Sequence, residues 1–154
     1  MRFLENRIPP PIVTLLFAID IWVMSIIIPA AALLTGPYSL LVAYGLLALG
    51  FGMAVAGVIG FRVAATTVNP LKPETATSLV TCGVFQYSRN PMYVGLTCLL
   101  LALTVYLAAG WGLLAVSLFI AYIYRFQIVP EERAMHKLFG AEYEAYQSSV
   151  RRWL

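Results

Sequence analysis

The sequence has little charge. Asp, Glu, Lys and Arg make up 11% of its 154 residues, whereas hydrophobic residues make up 61%. A soluble domain carries about 25% charged residues, so this chain lacks the polar surface that would cover it in water. We therefore expect one integral membrane domain over residues 1–154, with the lipid bilayer as its surroundings and no nucleic-acid partner.

Metal ligands are equally scarce. Cys82 and Cys98 are the two cysteines, no CxxC is present, and His136 is the single histidine. Zinc sites need Cys and His at short, regular spacing, so we expect no metal. We interpret both cysteines as unpaired thiols in or near apolar surroundings and His136 as a surface residue.

Four apolar runs are long enough to cross a bilayer, which takes about 20 residues of helix. They cover residues 12–34, 38–61, 91–108 and 111–128. Thr35-Gly36-Pro37 and Ala109-Gly110 interrupt the chain within each pair, and such short connections predict two antiparallel hairpins. The predicted fold is all-α: a polytopic membrane bundle of four transmembrane helices followed by cytoplasmic C-terminal helices.

Every lysine and arginine falls on one side of these spans. Basic residues precede the first span, lie between the second and third, and lie at or beyond the end of the fourth, whereas the two short connections carry none. The positive-inside rule places that side in the cytoplasm. We therefore predict a protein of the prokaryotic inner membrane with both termini in the cytoplasm. We expect no cleavable signal peptide, because the first apolar run is too long for one.

One carboxylate lies inside the membrane. Asp20 is about 13 Å into the first span at 1.5 Å per residue, where a charge is costly. We expect it to face the bundle interior, to be paired or to be protonated, either as a functional group or as a structural polar contact.

The second span contains a stripe of small residues. Ala48, Gly52, Ala56 and Gly60 recur at four-residue spacing. Small residues let helix backbones approach closely in lipid, so we interpret the stripe as a packing surface, with the wall of a ligand groove as the alternative.

Local signals predict the ends of the cytoplasmic helices. Asn90 and Pro91 are typical of an N-cap and a first helical turn. Pro130-Glu131-Glu132 predicts another helix start, with acids at the positive end of its dipole, and Gly140 predicts its end. After it, aromatic and apolar residues at spacings of three and four predict an amphipathic last helix with its aromatics at headgroup level. They are Tyr143, Tyr146, Val150 and Trp153.

The same segments contain the chemical complement of an amino acid. Arg89 can form two parallel hydrogen bonds with a carboxylate, and Glu131 or Glu132 can accept from an ammonium group. The start of the third helix offers backbone N–H groups to an anion. We therefore expect an amino-acid-like ligand at the membrane surface.

These residues also carry a family resemblance. Arg89-Asn90-Pro91-Met92-Tyr93-Val94-Gly95, followed after one hairpin by Glu131-Glu132, resembles the R-H-P-x-Y-x-G … E-E pattern of the isoprenylcysteine carboxyl methyltransferase and phospholipid N-methyltransferase families. Leu79-Val80-Thr81-x-Gly83 and Phe139-Gly140-x-x-Tyr143-x-x-Tyr146 are similar too. The resemblance covers about 60% of the chain, from Thr66 onward. It is specific for the superfamily but not for a substrate, and it implies an integral membrane methyltransferase that uses S-adenosyl-L-methionine.

The resemblance implies roles for particular residues. Its cofactor pocket would contain Val80, Gly83, Phe85, Arg89, Asn90, Tyr93, Gly95, Glu131 and Glu132. Arg89 would hold the cofactor or an anionic acceptor, and Arg151 is a second catalytic candidate, with attraction to anionic lipid as its alternative role. Asn90 stands where the family has histidine and cannot act as an acid or base near pH 7. Four spans are also fewer than those of the eukaryotic carboxyl methyltransferases, which puts a large prenyl-binding surface in doubt.

Methyl transfer from a sulfonium is an in-line displacement, so the protein mainly aligns the acceptor and excludes water. The expected acceptor is membrane-associated or apolar and enters laterally: an isoprenylcysteine-like carboxylate, a lipid amine or a thiol. S-adenosylhomocysteine is the expected product. Three other functions fit parts of the sequence. They are a small proton-coupled transporter using Asp20, a nicotinamide-dependent membrane reductase relative without a dinucleotide glycine motif, and a non-catalytic membrane partner.

Overall fold

The computed structural model describes residues 5–28, 36–65 and 73–154, which contain helices and no strand. The helices are α1 (Pro10–Ile27), α2 (Pro37–Val63), α3 (Pro91–Tyr106), α4 (Gly112–Ile123) and α5 (Val129–Ser149). Two 3₁₀ turns, Pro73–Thr75 and Gly83–Gln86, lie between α2 and α3, and a π-helical turn, Tyr124–Ile128, joins α4 to α5. The all-α fold predicted from the sequence is confirmed.

Three of the helical stretches are long and apolar enough to cross a membrane: α1, α2 and the continuous run from α4 into α5. The fourth apolar helix, α3, is shorter, with 16 residues. α1 and α2 expose most of their large hydrophobic side chains on the outside of the bundle, a surface that suits lipid and not water. The predicted membrane bundle is confirmed, although the expected end of the first span, at residues 29–34, falls outside the described ranges.

The apolar core lies between α1, α3 and α4. Ile21 of α1, Leu100 of α3 and Phe119 of α4 are almost completely removed from solvent. Phe17 meets Phe119 edge-on, with ring centroids 5.6 Å apart, a favoured aromatic geometry. α3 therefore occupies the centre of the bundle, with α2 packed on its other side.

The backbones of α2 and α3 come close together at Gly50 and Gly95, which are not part of the predicted small-residue stripe. A Cβ at Gly50 would lie 2.8 Å from the Gly95 carbonyl oxygen, and one at Gly95 would lie 2.6 Å from the Gly50 carbonyl oxygen. Of the predicted stripe, Ala48 and Gly52 lie on an exposed face, so the prediction was wrong there, whereas Gly60 packs closely against Phe85. The buried small residues of α2 recur every seven positions, which is close to two helical turns: Ala43, Gly50 and Gly57.

Asp20 lies on the exposed side of α1. The expectation that it faces the bundle interior was wrong, because the inward face of α1 is formed by apolar residues such as Val13 and Ile21. Within the described ranges, no residue pairs with its carboxylate.

Pro130 shapes the junction between α4 and α5. Proline has no N–H and its ring clashes with the carbonyl four residues earlier, and the helix widens into the π-helical turn just before it. The Phe126 carbonyl accepts the N–H of Asn6 at 3.0 Å. Gln127 is completely buried and donates to the Ile8 carbonyl at 2.8 Å. A helix does begin at Val129, as Pro130-Glu131-Glu132 predicts. It follows the π-helical turn directly, and the junction holds the N-terminal segment.

Gly140 bends α5. Its φ of 47° and ψ of −120° are not helical, and a positive φ is tolerated best by glycine. One helical segment ends at Gly140, as predicted, and a second begins directly after it, so α5 consists of two helical segments joined by a kink. Beyond the kink, Tyr143 and Tyr146 are buried in the protein. They pack inside the protein because the kink turns this half of α5 back onto the residues before α3, and their position at headgroup level stays a prediction.

Candidate active site

A cavity of about 130 Å³ lies between the end of α2, the segment before α3 and the first half of α5. Its apolar wall is formed by Phe61, Leu79, Val80, Phe85, Met92 and Met135. Its polar wall is formed by Arg89, Asn90, Tyr93, Glu131, Glu132 and Tyr143. An apolar pocket with a few converging polar groups is typical of a small-molecule site.

Phe85 anchors the segment before α3. Gly83 begins the 3₁₀ turn with a φ of 61°, and the turn carries Phe85 inward. Its ring meets Phe61 edge-on with centroids 5.1 Å apart, and its carbonyl accepts the Tyr146 hydroxyl at 2.7 Å. This segment is thereby tied to α2 on one side and to α5 on the other, which fixes the distance between the cavity walls.

Two guanidinium groups converge on Glu132. Arg152 donates from Nε at 2.9 Å and from Nη2 at 2.8 Å, which is the strong bidentate arrangement. Arg89 approaches the same carboxylate with Nη2 at 3.3 Å. Two positively charged guanidinium groups therefore face one negatively charged carboxylate, and the Arg89 guanidinium leaves a net positive charge on the cavity wall.

Two of the three guanidinium nitrogens of Arg89 make no hydrogen bond to the described residues. Its side chain is 10% exposed, and Nε and Nη1 are buried without a hydrogen-bond partner among the described residues. Buried donors without partners carry a desolvation cost of about 1–3 kcal/mol. A ligand oxygen that accepts a hydrogen bond from either donor would remove part of that cost.

Glu131 follows the predicted fourth span, which ends at residue 128, and accepts a hydrogen bond from the Tyr93 hydroxyl. Removal from water raises the pKa of Glu131 to about 8, and the neighbouring Glu132 acts in the same direction. The two adjacent carboxyl groups thus have different roles: Glu132 is held by arginines, and Glu131 exchanges its proton near neutral pH.

The raised pKa of Glu131 predicts how the stability of the fold depends on pH. A carboxyl whose pKa is higher in the folded state takes up a proton on folding, so its ionisation destabilises the fold increasingly as pH rises from about 4.5 to about 8. Glu131→Gln cannot ionise and still accepts from Tyr93. We expect this variant to raise the melting temperature clearly at pH 8 and much less at pH 5. Glu142→Gln on the exposed side of α5 is the control, and equal shifts at both pH values would contradict the assignment.

The structure brings most of the predicted site residues together. Val80, Phe85, Arg89, Asn90, Tyr93, Glu131 and Glu132 all line the cavity. Three predicted residues lie elsewhere. Gly83 is exposed at its turn, and Gly95 lies in the α2–α3 contact. The Arg151 side chain is exposed, and only its backbone carbonyl takes part, accepting the Arg89 N–H at 3.0 Å.

Sequence reasoning missed Arg152 and the buried positions of Tyr143 and Tyr146. The two tyrosines were visible in the family-like tail, but the kink that brings them inward was not. Asn90 was also placed differently: it precedes α3, but its side chain makes no cap. Its Nδ2 instead donates to the Arg152 carbonyl at 2.9 Å.

The fold and this cavity define a helical membrane protein with a cavity lined by charged residues at one end of its bundle. A family model described as phospholipid methyltransferase matches residues 38–142. The chain belongs to the phospholipid methyltransferase family, and the resemblance noted in its motifs is confirmed. Membership indicates membrane methyltransferase activity. An uncharacterised protein of Haemophilus influenzae is 44% identical over 63 residues, which are 41% of this chain and all of that protein. No solved structure matches the chain.

Proposed function

We infer that the protein is an S-adenosylmethionine-dependent methyltransferase whose acceptor is membrane-associated or apolar. The observation that carries this proposal is the pair of buried, unpartnered N–H groups of Arg89, which lie beside two carboxyl groups in a cavity with an apolar wall. The charge distribution of the sequence supports a cytoplasmic position for this end of the bundle.

The residues present fit the amino-acid portion of S-adenosylmethionine. Arg89 offers a buried, unpaired donor that can make a charge-assisted hydrogen bond to a carboxylate. Arg152 already holds Glu132, so Arg89 is not required to neutralise that residue. Glu131 can accept from an ammonium group. The apolar wall suits the rest of the cofactor, which supplies a methyl group activated on a sulfonium when it is bound.

The chain itself supplies binding, orientation and exclusion of water. Phe85, Tyr143 and Tyr146 form part of the cavity wall and lower the local dielectric around its polar groups. With a pKa of about 8, Glu131 can take up a proton from an amine acceptor only when it is ionised and not engaged by an ammonium group. A carboxylate or thiolate acceptor would not need this step.

The transporter alternative has less support. A coupling carboxylate would have to face a path through the bundle, whereas Asp20 lies on the outer side of α1. It is also absent from the cavity wall. We therefore expect Asp20→Asn to leave methyl transfer intact.

The proposal is tested by methyl transfer in sealed vesicles. S-adenosylmethionine labelled in its methyl group is added to inside-out and right-side-out vesicles together with a lipid amine, a prenylated thiol or a small thiol. We expect one acceptor class to take up label, with an equal amount of S-adenosylhomocysteine formed, and only in inside-out vesicles. No labelled acceptor in either orientation, together with no cofactor binding, would overturn the function. Transfer only in right-side-out vesicles would overturn the orientation.

A further inference from the structure

The last residues of the chain return to the candidate site. α5 ends at Ser149, and the following residues 150–154, here called the C-terminal tail, begin in an extended conformation. The tail crosses the start of α3, where the Arg151 carbonyl accepts the Arg89 N–H at 3.0 Å. Trp153 packs against the apolar core. The tail is thus docked between the site and the bundle.

The Asn90 side chain makes one hydrogen bond to this tail, at the Arg152 carbonyl oxygen. Its Nδ2 donates to the Arg152 carbonyl at 2.9 Å, while its own backbone N–H donates to the buried Ser88 hydroxyl at 3.1 Å. Since Ser88 is fully buried, Asn90 is itself fixed. A fixed amide is a suitable anchor because it donates at every pH.

Arg152, whose carbonyl accepts from Asn90, also carries the guanidinium that binds Glu132. The Arg152 side chain reaches Glu132 with two bonds of 2.9 and 2.8 Å and lies 5.1 Å from the centre of the Tyr124 ring, a cation–π contact. Arg152 is therefore held at its backbone by Asn90 and at its head by Glu132 and Tyr124.

The position of Arg152 determines what Arg89 can bind. Glu132 is mostly buried, with 13% of its side chain exposed, and a buried carboxylate needs a charge partner. With Arg152 in place, Arg89 contributes only Nη2 and keeps Nε and Nη1 unpaired. If the tail were released, Arg89 would become the remaining guanidinium beside Glu132, and its free donors would turn to that carboxylate.

We propose that Asn90 is a positioning residue: it latches the C-terminal tail through the Arg152 carbonyl, so that Arg152 neutralises Glu132 and Arg89 stays open for the ligand carboxylate. The identity of that ligand rests on the proposed function, but the latch does not. The histidine found here in the family pattern also has an N–H donor in its neutral form. The position accordingly needs a donor and not an acid or base.

The experiment compares three variants of Asn90. Asn90→Asp keeps the shape of the side chain but loses the donor and places a carboxylate against the Arg152 carbonyl. Asn90→Leu removes both polar atoms. Asn90→His replaces the amide donor with an imidazole N–H donor. Gln86→Leu removes an exposed amide from the preceding turn and is the matched control. Melting curves in detergent first establish that each variant is folded.

Two quantities are then measured. Tail docking is read without ligand, as the rate at which a carboxypeptidase removes residues from the C-terminus. Ligand binding is read by calorimetry with S-adenosylhomocysteine. We expect Asn90→Asp and Asn90→Leu to be trimmed at least about tenfold faster and to bind about tenfold more weakly, corresponding to about 1.4 kcal/mol. In turnover, KM for S-adenosylmethionine should rise more than kcat falls. Asn90→His and Gln86→Leu should resemble the wild type.

The outcomes separate the latch from the proposed function. Unchanged trimming in Asn90→Asp and Asn90→Leu would overturn the latch. Faster trimming with unchanged affinity would overturn the positioning role. Failure of Asn90→His to restore binding would overturn the claim that a donor suffices. If the wild type bound no S-adenosylhomocysteine, the proposed function would fail and the positioning role toward that ligand with it, whereas trimming would still report the latch.

Discussion

Arg89→Ala is expected to lower the affinity for S-adenosylhomocysteine about 10- to 100-fold and to abolish measurable methyl transfer. The variant removes two buried donors that have no partner among the described residues, and hydrogen bonds to charged groups contribute about 1.5–3 kcal/mol each. It should leave the fold intact, because Glu132 keeps both of its bonds from Arg152.

Two variants control this result. Arg151→Ala also removes an arginine, but its side chain is exposed, so binding should stay within about twofold of the wild type. Arg89→Lys keeps the charge but offers a point donor in place of a planar fork, so its affinity should fall between those of Arg89→Ala and the wild type. Wild-type turnover in Arg89→Ala would refute the assignment, and a larger effect from Arg151→Ala would move the site to the neighbouring residue.

Gly95→Ala is expected to destabilise the protein strongly although it adds one methyl group. The new Cβ would lie 2.6 Å from the Gly50 carbonyl oxygen and 3.0 Å from the Ala54 backbone nitrogen. Backbone atoms cannot move aside as a flexible side chain can, so α2 and α3 must separate. Overpacking of this kind costs about 1–3 kcal/mol, and the melting temperature in detergent should fall by roughly 5 °C or more.

Gly52→Ala provides the same chemical change at a position that has room for it. A Cβ there meets nothing within 4 Å, and alanine has a higher helix propensity than glycine. We expect the melting temperature of this variant to equal or slightly exceed that of the wild type. Equal melting of Gly95→Ala and Gly52→Ala would show that α2 and α3 are not packed as described.

The sequence could predict the bundle because the membrane imposes few choices. A long apolar run must form a helix in lipid, since its backbone polar groups find partners only within it. The face that each helix turns inward was less predictable. α2 contains small residues on more than one side, and only the partner glycine on α3, Gly95, selects Gly50 over Gly52 as the contact. Asp20 shows the same limit, because the pattern of α1 alone does not say which side meets α3 and α4.

The site was predictable where it depends on local motifs. Arg89 lies just before α3, and Tyr93 lies in its first turn. The hairpin of α3 and α4 returns the chain to the same end of the bundle, where Glu131 and Glu132 follow. The contacts that depend on irregular backbone were not predictable. Whether Arg151 or Arg152 reaches Glu132 depends on the path of a non-helical tail, and the burial of Tyr143 depends on the kink at Gly140.

Calorimetric titration of the purified wild type in lipid nanodiscs with S-adenosylhomocysteine is the most direct test of the central claim, that the cavity at the Arg89 end of the bundle is a methyltransferase cofactor site. We predict saturable binding of one ligand per chain with a dissociation constant below about 1 mM, weakened in Arg89→Ala and retained in Arg151→Ala and Asp20→Asn. Absence of heat and of any thermal shift at about 1 mM ligand, or binding that Arg89→Ala does not change, would contradict it.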